Sequence, residues 1–140
     1  MHRRPLGRGR RIAAVFAVVT LIGCIVPWST VGGADQLPAY SDNAFVGTGL
    51  LVFLAAMAIL ALISLPFTSE RPIGLDRWPS YLVVVVIGLV GFLIRIAALI
   101  AEGPLDAIRP DHAPGLVIVA IGFIGLGRAV LEIHDEPEPR

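Results

Sequence analysis

Arg95 is the residue whose type and position could do chemistry, because it is the one charge well inside a long apolar run. Counted from Tyr81 at a rise of 1.5 Å per residue, it lies about 21 Å along a helix. That depth falls in the outer third of a bilayer, where a charge costs less than at the midplane. Three fates suit such a side chain. It can snorkel to the headgroups, pair with a carboxylate, or hold an anionic ligand. The candidate carboxylates are Asp35, Asp42, Glu102 and Asp106, in the two loops on that side. A structural role, clamping the loops or reaching the headgroups, is expected ahead of a ligand contact.

Other reactive types give weaker patterns. Leu21-Ile22-Gly23-Cys24 matches a lipobox, with a basic head and a short apolar stretch before it. Cleavage there would leave a lipidated Cys24 and three spans. The apolar sequence runs on through Ile25, Val26 and Trp28, so an uncut helix is expected instead. One cysteine excludes an internal disulfide. Arg128 and Glu132 have the spacing of a helix-surface ion pair, and His134-Asp135-Glu136 are adjacent and do not converge as ligands. The three histidines, His2, His112 and His134, share no metal-ligand spacing. No Ser/His/Asp set, paired intramembrane carboxylate or phosphate loop is present. No metal, cofactor or catalytic residue is therefore expected, and the chain does not read as an enzyme.

The elements that would position Arg95 follow from composition. The 140 residues are 56% hydrophobic, above the roughly 45–50% of soluble domains, with a mean hydropathy of +0.81. Apolar runs cover Ile12 to about Trp28, Ala44–Leu65, Tyr81–Ala101 and Pro114–Ile133. Each approaches the ~20 residues a helix needs to cross the hydrocarbon, the first only just. In lipid each must be helical, even where Val83–Val86 would favour strand in water. Asp42 or Asn43 is placed to cap the second helix and Pro66 to stop it. Ser80 is placed to cap the third, and Pro114 to open the fourth. Trp28, Trp78 and Tyr81 fall at ends where aromatic rings settle among headgroups.

The arginines set the orientation. All eleven basic residues are arginine, a usage that suits a GC-rich bacterial genome. Arg3, Arg4, Arg8, Arg10 and Arg11 precede the first run, and Arg71 and Arg77 join the second to the third. The Ser29–Asn43 loop has no basic residue, and the Glu102–Ala113 loop has Arg109 alone. Basic loops stay cytoplasmic, so both termini are expected inside a bacterial cytoplasmic membrane. The expected architecture is all-α: a four-transmembrane-helix bundle of two antiparallel hairpins. Residues 1–11 form a basic cytoplasmic start, 12–133 the membrane domain and 134–140 a polar tail of disordered composition.

Small residues recur at Ala13/Ala17, Ala97/Ala101 and Gly125/Ala129, with Gly88/Gly91 and Gly122/Gly125 beside them. Such spacings let helices approach closely, first within the bundle and secondarily between copies. The first outer loop is the most distinctive stretch. Pro27-Trp28 at the helix exit, Gly32-Gly33-Ala34-Asp35 in the loop and Gly47-Thr48-Gly49 before the second helix resemble a pattern in uncharacterised four-helix membrane proteins of actinobacteria. That resemblance implies a topology and no activity. Small multidrug transporters also have four helices, but they rely on an acid in the first, and Ile12–Trp28 has none.

The expected function is non-enzymatic, exerted on another membrane component through helix surfaces or outer loops. A small oligomeric transporter or channel subunit is the alternative. The partners expected are the lipid bilayer and another membrane protein or a second copy. The basic N-terminus reads as a topology signal and anionic-lipid contact rather than a nucleic-acid arm.

Overall fold

The computed structural model describes residues 6–33, 38–68 and 74–136. Four helices carry the fold: α1 (Arg8–Ile25), α2 (Leu50–Thr68), α3 (Trp78–Glu102) and α4 (Pro114–Asp135). Two short strands, β1 (Ser29–Val31) and β2 (Tyr40–Asp42), pair antiparallel between α1 and α2, with Ser29 opposite Asp42 and Val31 opposite Tyr40. A 3₁₀ turn at Gly47–Gly49 leads into α2, and another at Leu105–Ile108 lies between α3 and α4. The apolar runs account for the helices; the ribbon is an addition that they do not announce.

Among the described residues, three helices are long and apolar enough to cross a membrane: α2 with its leading turn, α3 and α4. The chain is thus a multi-pass membrane protein by helix length and composition. The first helix differs from the reading of its sequence. It begins at Arg8, so arginines 8, 10 and 11 occupy its opening turn, and it ends at Ile25 rather than Trp28. Its apolar part, Ile12–Ile25, spans only about 21 Å at 1.5 Å per residue.

Other ends also move. Pro66 lies inside α2, which continues to Thr68; so near the terminus, its missing N–H and its ring disturb only the last turn. No side chain caps α3. Arg77 is its N-cap residue and Ser80 falls within the first turn, behind Pro79. Pro114 opens α4 as its sequence suggests. That helix runs on to Asp135, taking in the start of the segment whose composition suggests disorder.

Each helix packs on its neighbours in sequence, and α4 closes the bundle on α1, with which it forms the most extensive interface. There α1 buries Gly9, Ala13, Ala17, Thr20 and Gly23, and α4 buries Val119, Gly122, Gly125, Leu126 and Ala129. Glycine is required at position 122, because a methyl group there would collide with the Thr20 hydroxyl. Thr20 in turn donates to the Phe16 carbonyl at 2.8 Å, which satisfies the one polar side chain in the middle of this seam. Gly88 and Gly91 serve the α2–α3 contact against Ala55 and Leu51. Ala97 and Ala101 face outward instead and take no part in packing within the bundle.

Candidate functional site

The chain between α1 and α2 is folded down onto the helix ends rather than looped away from them. Burial of backbone at this level is tolerable only if its polar groups find partners, and several can be traced. Trp28 N–H donates to the Asp42 carbonyl at 2.7 Å, Ala44 N–H to the Cys24 carbonyl at 3.3 Å, and Gly115 N–H to the Pro27 carbonyl at 2.9 Å. These bonds join the end of α1, the ribbon, the approach to α2 and the start of α4.

Trp28 is the apolar anchor. Its ring is fully buried, edge-on to Phe92 of α3 with centroids 5.5 Å apart. Its indole Nε1–H donates to the Gly23 carbonyl at 2.8 Å. It therefore does not sit among headgroups as its place at a helix end suggests. Tyr81 is likewise buried, and of the three end aromatics only Trp78 stays substantially exposed.

Arg95 meets the loop from below. Counted back from Glu102, the last residue of α3, it lies about 10 Å inside the C-terminal end of the helix. Its Nη2 donates to Asp42 Oδ2 at 2.6 Å, and the side chains are only 9% and 12% exposed. Asp42 Oδ1 accepts a second hydrogen bond, 2.8 Å from Ser29 Oγ. Gly47 passes over the guanidinium in the left-handed region, at φ 63°, and any Cβ there would lie 3.5 Å from Arg95 Nη1. The left-handed backbone is what favours glycine at 47, since a Cβ at that distance would make only an ordinary contact. Arg95 Nε is buried without a partner among the described residues.

Of the carboxylates open to Arg95, one is thus in contact. Glu102 is exposed at the end of α3 and makes no ion pair among the described residues, because it lies two turns along from Arg95. Asp106 pairs with Arg109 at 3.0 Å on the surface. Asp35 lies outside the described residues. Snorkelling is replaced by descent of the loop: Asp42 comes to the arginine, so the arginine need not reach the headgroups. The α3–α4 connection leans on the same cap, with Thr30 Oγ1 donating to the His112 carbonyl at 2.8 Å.

Cys24 sits fully buried beneath this cap. The two connections also expose large apolar side chains: Val31, Tyr40, Phe45 and Val46 from the first and Leu105 from the second. The ribbon register places Val31 and Tyr40 opposite each other. Among the described residues, no group of three His, Cys, Asp or Glu side chains could hold a metal ion.

The opposite end holds a second charged cluster, which the sequence pattern does not single out. Arg10 Nε lies 3.1 Å from Asp76 Oδ1, and its Nη1 lies 2.7 Å from Glu136 Oε2. Tyr81 Oη donates to Asp76 Oδ1 at 2.8 Å, and Gly9 N–H donates to Glu136 Oε1 at 2.9 Å. Burial works against the charge on Arg10, but hydrogen bonding to Asp76 and the nearby negative charge more than offset it, so its pKa is raised. Read as one of five N-terminal charges, Arg10 is a topology signal; in three dimensions it ties α1 to the α2–α3 connection and the end of α4. Nearby, Arg128 and Glu132 approach to 3.9 Å, as their spacing suggests. His134 lies edge-on to Trp78, with ring centroids 4.8 Å apart.

No family model, curated protein or solved structure matches the chain. What the molecule does must be argued from this geometry, whose class is that of a helical, multi-pass membrane protein.

Proposed function

We propose that this is a non-enzymatic protein of a bacterial cytoplasmic membrane, with four spans and both termini inside. In this reading it acts on another membrane component through its outer cap. The observation that carries it is the buried Arg95–Asp42 pair, which fixes a loop that leaves Val31, Tyr40, Phe45 and Val46 exposed. A pinned surface suits recognition, because little entropy remains to be lost when a partner binds.

The fourth crossing, by α1, is supported by its fit along α4. Gly9 lies against Ile133, Gly23 against Val119, and the Pro27 carbonyl against Gly115. A helix packed antiparallel along the whole length of a spanning helix crosses with it. Val26-Pro27-Trp28, inserted between the helix ends, makes up the outer part that α1 is too short to cover. The same packing supports an uncut α1 with Cys24 unmodified. The arginine asymmetry supports the orientation.

The test is site-specific photo-crosslinking in native membranes. A photoreactive residue at Tyr40 is expected to capture a discrete partner, whereas one at the lipid-facing Ile87 is not. Capture at Tyr40 should fall in an Asp42→Ala background that still inserts. If both positions capture the same species, or Asp42→Ala captures as well as wild type, the cap is not the recognition surface.

A further inference from the structure

A groove of about 430 Å³ opens on the lateral face of the bundle between α1 and α4, near the end that carries the Arg10 cluster. Its walls are Ile12 and Phe16 from α1 and Ile121, Ile124 and Gly125 from α4, and its mouth is formed by Arg8 and Arg128. From Arg8 to Phe16, or from Arg128 back to Ile121, it runs about 10–12 Å along the helices. That is the reach of a glycerol backbone and the upper part of an acyl chain. Gly125 seats the Phe16 ring, which a methyl group there would displace.

We propose that this groove holds one anionic phospholipid of the adjoining leaflet, its phosphate between Arg8 and Arg128 and a chain along Ile12, Phe16 and Ile121. The inference goes beyond the function argued for the outer cap and uses the other end of the molecule. Charge complementarity selects the occupant. Two guanidinium groups, 76% and 68% exposed at the side chain, face a single carboxylate, Glu132, at 3.8 and 3.9 Å. Both of those approaches are through Nε, and no hydrogen bond engages the Nη groups of either arginine among the described residues. One positive charge is left in excess, at the level where a spanning helix leaves the hydrocarbon. Anionic headgroups are recognised by basic pockets of this kind between helices. A zwitterionic lipid would fill the same apolar walls without drawing on that excess charge.

Glu132 gives the proposal its sharpest test, because it competes with the phosphate for both arginines. The detergent-solubilised full chain is titrated with phosphatidylglycerol or phosphatidylcholine of identical chains, and bound lipid is counted by native mass spectrometry. Wild type should prefer phosphatidylglycerol, with about a fivefold contribution from each arginine. Arg8→Gln with Arg128→Gln should abolish the preference and leave phosphatidylcholine binding unchanged. Glu132→Gln, which removes no basic group, should strengthen it. Arg109→Gln at the opposite end should change nothing. Equal binding of the two lipids by wild type, or a preference that survives the double substitution, would overturn the proposal. So would a Glu132→Gln protein that binds phosphatidylglycerol no better than wild type.

Discussion

The two ends of the molecule use the same chemistry under different conditions. At one end Arg95 and Asp42 form a buried pair, 9% and 12% exposed, that draws an irregular loop into the helix ends. At the other Arg10 bridges Asp76 and Glu136 with all three side chains between 17% and 24% exposed. The Arg95–Asp42 pair has few alternatives if broken, because water is largely excluded. The Arg10 cluster shares its charge among several groups and has water at hand. A buried pair is therefore a specific anchor whose loss is costly, not a large net source of stability. The Arg10 cluster is a clasp that solvent can partly replace.

This contrast can be broken in graded steps, read as thermal unfolding midpoints of purified protein. The largest effect is expected from Asp42→Ala, which leaves Arg95 buried without its counter-ion. Such losses cost about 3–5 kcal/mol. Arg95→Leu together with Asp42→Leu should recover part of this, limited by the loss of the Ser29 hydrogen bond to Asp42. A double variant as unstable as Asp42→Ala alone would mean that the charges matter for more than their mutual compensation.

Gly122→Ala comes next, since overpacking a close seam costs about 1–3 kcal/mol. Adding Thr20→Ala should relieve it, because the Thr20 hydroxyl is the atom a methyl group would meet first. If the two effects simply add, the α1–α4 approach is looser than described. Arg10→Gln should cost about 1–2 kcal/mol, between exposed and buried pairs. Its penalty should shrink at high salt while that of Asp42→Ala should not, since screening acts on solvent-accessible charge. Arg109→Gln, at an exposed pair with Asp106, should cost ~0.5 kcal/mol or less.

The same contrast explains what could be read from the sequence. The four apolar runs follow from composition, and the start of α4 from Pro114. Arg95 stands out because a lone charge in an apolar helix needs a reason. Asp42 could be set among four carboxylates and no further, because it lies 53 positions away and the choice depends on how the loop folds. The ribbon was hidden for a related reason: three-residue strands carry too little alternation to be recognised. Arg10 does not stand out in the sequence because its partners are 66 and 126 positions distant, and the topology rule explains N-terminal arginines collectively. The position of Trp28 at a helix end suggests the headgroups, whereas the descending loop roofs it over.

The central claim is that the cap, proposed above to face outward, is a folded element held by Arg95 and Asp42, and Cys24 offers a direct measure of it. This is the sole cysteine of the chain, it is fully buried, and its carbonyl accepts the Ala44 N–H of the cap. A membrane-impermeant maleimide applied to intact cells should leave wild-type Cys24 unlabelled. The same protein dissolved in SDS should label fully, as a free thiol would. In Asp42→Ala, or in Arg95→Leu if the first does not accumulate, labelling on cells should become readily measurable. Rapid labelling of the wild type, or continued protection in both variants, would contradict the account.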